Sequence, residues 1–445
     1  MNRRVLIVSP HFPPVNAADH QRIRMALPYF ADFGWDVTIL CVDSEFVEGI
    51  NDLNLSLTIP TNVEIIRCKA ISLKLSRKLK LGNLAFRSIP FLIKATAQYF
   101  EKNYFDLVYF SNTVFLTMPL GRHWQQKYNV PYVLDFQDPW LSDYYERTGT
   151  TPPGGKLKYT LANALAQILE PFTLGKAAHI TSVSPDYPQA LMKRYPFLRN
   201  DQFTVLPFGA PENDFEILDS LGIQQTIFDP NDGYQHWVYV GRAFEAMYLS
   251  LNSLFAAIQQ HRLQNPGPWE NIKLHFVGTK YSIHDQGKEI EAIAKSYDLE
   301  QIVTEYPQRI PYFEALQVLK DSHGILIIGS DDPGYSASKI YPCILARKPL
   351  LAIVHKNSLV VKVIEDCNAG EVITFETIEP DNIIDSLKLK LDWFLSQATN
   401  HTPQTNWQAF HPYTAKEMTR QLCAIFDHCV APEENNKTKK FSQDF

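Results

Sequence analysis

Short apolar runs recur along the chain, each followed by a polar loop and then by apolar residues at helical spacing. Residues 5–8, VLIV, are apolar throughout, as a strand buried on both faces must be. His11, Phe12, Pro13, Pro14 and Val15 form the loop after it. Residues 16–19 open a helix expected to reach Phe33, with Gly34 as its cap and a strand at 37–42. Strand, loop, helix, glycine, strand is the first crossover of a doubly wound parallel sheet. Further buried strands are predicted at 63–68, 107–110, 132–136, 179–183 and 203–206. Helices are predicted at 84–101, 116–127, 157–176 and 185–194.

Between 207 and 230 the pattern lapses, with Gly209, Pro211 and Pro230 as punctuation. It then restarts with strands at 237–240, 272–277, 302–304 and 324–328 and helices at 248–261, 283–297 and 311–320. The expected division is 1–207, 208–411, a helix at 412–430 crossing back to the first domain, and a disordered tail at 431–445. The fold class is therefore α/β: two Rossmann-like doubly wound parallel-sheet domains facing a central cleft, with polar strand ends turned toward it.

One stretch points to chemistry before any comparison. After the run 324–328 comes a turn with Asp331, Asp332, Pro333 and Gly334, and then Ser336, Ser338 and Lys339 where a helix would start. That helix runs to about 347–348, and a buried strand follows at 349–354. Free backbone N–H groups, two hydroxyls and an ammonium make an anion socket, and phosphate is the expected guest.

Composition narrows the setting. A chain of 445 residues exceeds one ordinary core and suits two domains. With 45% hydrophobic and 20% charged residues it reads as a soluble globular protein. The net charge of −6 implies no general affinity for polyanions, and no nucleic-acid partner is expected. Six cysteines without a C-x-x-C pair suggest neither a zinc site nor a disulfide framework, and point to a reducing compartment. The first apolar run is too short for a signal peptide, and no window of about 18 apolar residues exists. A cytoplasmic location is expected. The stretch 65–100 departs from the average. It carries Arg67, Lys69, Lys74, Lys78, Arg87 and Lys94 among its cations, has no acidic residue, and interleaves them with leucines. Such a basic amphipathic segment can dock peripherally on the inner face of a membrane.

Taken in order, the motifs resemble a GT-B glycosyltransferase of the large retaining family often called GT4. The likeness runs from Val5 to about Phe426. Its carriers are the strand and Pro-Pro loop up to Val15, Phe33–Gly34–Trp35, LDFQDPW from Leu134, AAHITSVSPDY from Ala177, and FTVLPFG from Phe203. In the second half they are VYVGR ending at Arg242, LHFVG ending at Gly278, and SKIYPCILARKPLLAI from Ser338. Four features depart from the family pattern. Ala17–Ala18 replace paired glycines, Gly334 and Pro342 stand where two glutamates are usual, Met247–Tyr248 stand near a lysine position, and Gln137–Asp138 replace a His-Asp pair.

The resemblance implies a second domain that binds a nucleotide diphosphate sugar as co-substrate, with no cofactor and no metal. Arg242 and Lys339 would stabilise the departing phosphate and Asp138 would orient or deprotonate the acceptor, making these three the candidate catalytic residues. Donor contacts would come from Ala17, Ala18, Gly241, Arg242, Thr279, Tyr335, Ser336, Ser338 and Lys339, with the base near Arg309 and Ile310. His11, Asp19 and Asp138 would lie on the acceptor side, against a glycan or lipid-linked acceptor. The rival readings are a sugar-nucleotide epimerase on the same fold and a non-catalytic nucleotide-sugar-binding scaffold.

Overall fold

A computed structural model describes residues 2–78, 82–142, 155–280, 285–331, 338–376, 380–397 and 402–431. The turn from Asp332 to Gly334, Tyr335, Ser336 and the tail from 432 lie outside the described residues. Backbone contacts divide the chain into two compact units, Met1–Gly209 with Ala415–Phe445, and Ala210–Thr414.

The first unit is a parallel sheet of seven strands: β1 (Arg3–Val8), β2 (Trp35–Val42), β3 (Glu64–Cys68), β4 (Leu107–Ser111), β5 (Tyr132–Phe136), β6 (His179–Ser182) and β7 (Phe203–Val205). Their order is β3-β2-β1-β4-β5-β6-β7, so the winding reverses between β1 and β4. Residues of β1 alternate between two cores, Leu6 and Val8 on one face and Val5 and Ile7 on the other. Helices α1 (Gln21–Ala26), α2 (Leu73–Lys78), α3 (Leu84–Glu101), α4 (Pro119–Tyr128), α5 (Lys156–Leu174) and α6 (Asp186–Arg194) complete the crossovers. A C-terminal helix, Ala415–Val430, packs on the α1 face. There Phe426 lies 5.4 Å from Trp35 and 5.1 Å from Tyr109 between ring centroids.

The single helix expected over 16–33 is two pieces. α1 stops at Ala26, and a separate 3-10 turn covers Phe30–Phe33. Pro28 explains the break: it offers no N–H to the helical ladder, and its ring clashes with the preceding turn. Gly34 closes the second piece at φ +78°, a conformation that suits glycine.

α4 packs tightly at Gly121. A methyl placed there would sit 2.6 Å from Tyr132 Cδ2 and 2.9 Å from Phe110 Cε2. Gly121→Ala should therefore cost about 1–3 kcal/mol through overpacking. The thermal midpoint should fall by about 2–12 °C in a scanning-calorimetry trace. An unchanged midpoint would mean that the two rings yield freely.

The second unit repeats the plan with β8 (Gln235–Val240), β9 (Ile272–Val277), β10 (Val303–Tyr306), β11 (Gly324–Ile328), β12 (Leu350–His355) and β13 (Glu371–Phe375). The order is β10-β9-β8-β11-β12-β13, with the reversal between β8 and β11. Its helices of more than one turn are α7 (Glu212–Leu221), α8 (Tyr248–Gln264), α9 (Glu289–Lys295), α10 (Tyr312–Asp321), α11 (Ile340–Leu345), α12 (Leu359–Cys367) and α13 (Pro380–Gln397).

Two expectations need correction here. The stretch read as irregular, 207–230, contains α7, whose Leu218 is buried in the core with Phe215 packed beside it. Pro211, one of the residues that suggested a loop, instead precedes the helix, and Gly222 closes it at φ +60°. The helix expected to start near Ser336 and end near 347 is the six-residue α11, with Lys339 as its N-cap. A helix so short has little dipole to offer, so any anion here depends on side chains.

Candidate functional site

Ligands of doubly wound sheets bind beyond the carboxyl ends of the strands, where the winding reverses. In the second unit that point lies between β8 and β11. β8 ends at Val240, and Gly241 follows at φ +138°. Its N–H donates to Val277 O at 2.8 Å, and the Ala243 N–H donates to Thr279 O at 2.9 Å. These backbone donors are already used, which again leaves the side chains to meet an anion.

Lys339 reaches back from the start of α11 across Gly241. Its ammonium donates to the Tyr239 hydroxyl at 2.9 Å and to the Arg242 carbonyl at 3.1 Å. Tyr239 in turn donates its hydroxyl proton to that same carbonyl at 2.6 Å. Of the three ammonium N–H groups, two are accounted for among the described residues and one is left for a ligand. The exposed Arg242 side chain lies with its guanidinium carbon 5.5 Å from the centre of the Phe244 ring. Two cations thus stand at one strand end. Loss of water around Lys339 lowers its pKa to about 8, and the nearby Arg242 charge adds to the effect.

This gives a pH prediction with a definite sign. The ammonium that would hold an anion is present below about pH 8 and is lost as pH rises through that value. Nucleoside diphosphate affinity should be level below pH 7 and fall above pH 8, by calorimetric titration. In Lys339→Met the fall should disappear.

The other donor-side residues are placed less directly. Thr279 is buried, and its hydroxyl donates to Glu305. Glu305 in turn accepts the N–H of Ile290 and of Glu291 at the start of α9, so this helix end already holds a carboxylate. Only the backbone of Thr279 faces the Gly241 turn. Arg309 is exposed and Ile310 half-buried, and the Arg309 backbone runs beside Gly278, where φ is +72°. Ser338 is exposed.

In the first unit the reversal lies between β1 and β4. The loop after β1 brings His11 and Asp19 together, with His11 Nδ1 donating to Asp19 Oδ2 at 2.8 Å. Thr113, just past β4, donates to the same oxygen through its N–H at 3.3 Å and its hydroxyl at 3.2 Å. Burial would raise the Asp19 carboxyl, but the His11 bond and charge, with His20 and the Thr113 N–H, hold it below the usual range. The other oxygen, Oδ1, is buried without a partner among the described residues. Ala17 is half-buried and Ala18 exposed on the same loop. His20 is fully buried with Nε2 on Val15 O at 2.8 Å, a packing role.

Asp138 is solvent-exposed just beyond β5. Even so, loss of surrounding water and the nearby Asp19 charge raise its carboxyl above the ordinary range, which favours a role as proton acceptor. Gln137 is buried. Its amide nitrogen donates to Asp135 Oδ2 at 2.9 Å and to the Asp19 carbonyl at 3.0 Å, tying the β1 loop to β5.

Sequence reasoning missed Tyr239. It sits mid-strand in an apolar run and reads as core. The available signal was its hydroxyl, since a buried tyrosine needs a hydrogen-bond partner and the strand end three residues on offers one.

Residues 20–209 match the family described as Glycosyl transferase 4-like domain. This part of the chain is similar to a glycosyl transferase 4-like domain. No curated protein matches the chain in sequence. Among solved structures, Anabaena HepE in complex with UDP-glucose is 16% identical, with a TM-score of 0.56 over 96% of this chain and 99% of that one. WaaG, a glycosyltransferase involved in lipopolysaccharide biosynthesis, is 16% identical, with a TM-score of 0.54 over 95% and 99%. Sucrose-phosphate synthase from Thermosynechococcus elongatus is 14% identical, with a TM-score of 0.58 over 96% and 98%. At such identities the likeness is one of fold, and the fold is that of the GT-B glycosyltransferases. The matched stretch thus contains Thr113, Gln137 and Asp138, with Asp19 one residue before it, while Arg242 and Lys339 follow it in the second unit.

Proposed function

We propose that the protein transfers a hexose from a nucleotide diphosphate sugar to a hydroxyl of a glycan or lipid-linked acceptor. The reading extends to retention of anomeric configuration, independence of a metal, and a place in surface polysaccharide or glycoconjugate synthesis on the cytoplasmic side. The observation that carries it is the Lys339 ammonium, held over Gly241 beside Arg242 at the reversal point of the second sheet. As the bond from the anomeric carbon to the diphosphate breaks, its electron pair leaves with the phosphate, and these two cations meet that charge. Asp138 takes the part of acceptor-side base or orienter. Arg309 and Ile310 are the neighbours assigned to the nucleotide base. HepE, whose structure holds UDP-glucose, makes uridine the first nucleotide to try. No helix among the described residues is long and apolar enough to cross a membrane. A peripheral contact through 65–100 would use the exposed Lys69, Lys74, Lys78 and Lys94. Arg87 is spent inside, donating to Ile71 O and Phe46 O.

A thermal-shift panel of UDP, GDP, ADP and dTDP tests the donor site, because a ligand at 100 times its Kd adds about 2.7 kcal/mol. Arg242→Ala should weaken the best nucleotide by at least about tenfold, the scale of a charge-assisted bond. Free nucleotide released only when acceptor is present would establish transfer. Binding without turnover would favour the non-catalytic scaffold, which the replacement of the usual glutamates by Gly334 and Pro342 already suggests as the second reading.

A further inference from the structure

Helix α5 is apolar on two opposite sides. Ala166, Thr173 and Leu174 are buried against the first unit. On the other side Leu157, Leu161, Ala164, Ile168 and Phe172 follow at spacings of four, three, four and four residues. At 3.6 residues per turn these five fall within a sector about 80° wide and extend over about 22 Å. They are exposed: Leu157 by 78%, Leu161 by 65%, Ile168 by 68% and Phe172 by 41%. A continuous apolar stripe on the outer face of a helix marks an interaction surface.

The charges around the stripe select its partner. The one acidic residue of α5, Glu170, is buried and accepts from Arg194 Nη1 and the Tyr195 hydroxyl, each at 2.7 Å. At one end of the stripe Lys156 and Lys158 are exposed. At the other end Lys176 is exposed, and Arg122 lies 4.2 Å over the Phe172 ring while donating to its carbonyl. Cations thus flank both ends, and no acidic side chain of the helix reaches solvent. Two copies pairing through this face would set cation against cation in either parallel or antiparallel alignment. A surface that is anionic outside and apolar beneath fits both features.

We infer that α5 is a lipid-docking helix. It lies in the interface of a membrane bearing anionic headgroups, with Leu157, Leu161, Ile168 and Phe172 among the acyl chains and Lys156, Lys158 and Lys176 on the headgroup phosphates. This surface does not depend on the sugar-transfer reading, and it uses residues other than those of the basic stretch 65–100.

Flotation of the full chain with phosphatidylcholine vesicles, with and without phosphatidylglycerol, tests it. The wild type should float with the anionic vesicles only. Leu161→Asp combined with Ile168→Asp should lower the bound fraction by about tenfold. Its thermal midpoint and nucleoside diphosphate affinity should stay as in the wild type, since both positions are exposed. Lys156→Glu with Lys158→Glu should weaken binding and blunt its salt dependence. Absence of wild-type flotation, or equal flotation of the Leu161/Ile168 variant, would overturn the assignment. So would a wild-type dimer that the variant dissociates, because the stripe would then belong to a second copy. Loss of binding confined to Lys74→Glu with Lys78→Glu would move the docking face to 65–100 and overturn it as well.

Discussion

Arg22→Met is expected to destabilise the protein by about 3–5 kcal/mol, the cost of removing one partner from a buried ion pair. Arg22 and Asp135 are both fully buried, with Nε and Oδ2 2.8 Å apart. Every strong group in the pair is served. Asp135 Oδ2 also accepts from Ser111 Oγ at 2.9 Å, and Oδ1 accepts from Thr181 Oγ1 at 3.0 Å. The rest of the guanidinium donates to Leu206 O at 2.6 Å and Pro207 O at 3.1 Å. Methionine fills the volume but leaves Asp135 charged and dry. The double variant Arg22→Met with Asp135→Leu should recover part of the loss, because it removes the unpaired charge but takes the acceptor from Ser111, Thr181 and Gln137. Chemical denaturation of the four proteins gives the coupling energy. A loss below about 1 kcal/mol in the single variant would show that water reaches the carboxylate. Asp135 also holds Gln137, which holds the Asp19 carbonyl, so the acceptor-side loop should loosen in the single variant and its amide protons exchange faster.

Gly241→Val should weaken diphosphate binding while leaving most of the fold intact. A Cβ at position 241 would meet the Lys339 ammonium, with Lys339 Cε 2.5 Å and Cδ 2.9 Å away. The φ of +138° is also one that branched side chains avoid. Relief requires Lys339 to leave Tyr239 and the Arg242 carbonyl, which removes a fixed cation from the site. Affinity for the preferred nucleoside diphosphate should fall by at least about tenfold, as expected for a lost charge-assisted bond. Lys339→Met should lose a similar amount, and the two changes together little more, since both act on one ammonium. Full additivity by calorimetry would mean that Gly241 acts on the ligand by a route other than Lys339.

Local pattern was enough to read the architecture. Runs such as 5–8 and 324–328 are apolar at every position because parallel strands are covered on both faces, and the polar residue that ends each run marks the ligand edge. The misread segments share one cause, which is that proline and glycine are ambiguous in isolation. Pro28 breaks a helix whose apolar spacing continues through it, whereas Pro211 and Gly222 bracket one where a loop was read. Contacts were out of reach for a different reason. Arg22 and Asp135 are 113 residues apart, and nothing in either neighbourhood announces the other. His11 and Asp19 are close in sequence, yet their bond depends on a loop path set by Thr113 and Gln137. Lys339 was noticed for its charge, but its anchorage on Tyr239 required the fold.

The first unit's sheet ends at Val205, yet its aromatic core is completed by Phe426, which stacks on Phe30 with centroids 6.2 Å apart and meets Trp35 and Tyr109 edge-on. A ribosome must translate the whole intervening unit before that helix emerges. Until then the nascent chain carries an open apolar trough beside β1, a natural place for a chaperone to hold it. A stop codon anywhere between 210 and 415 would leave that trough open for good.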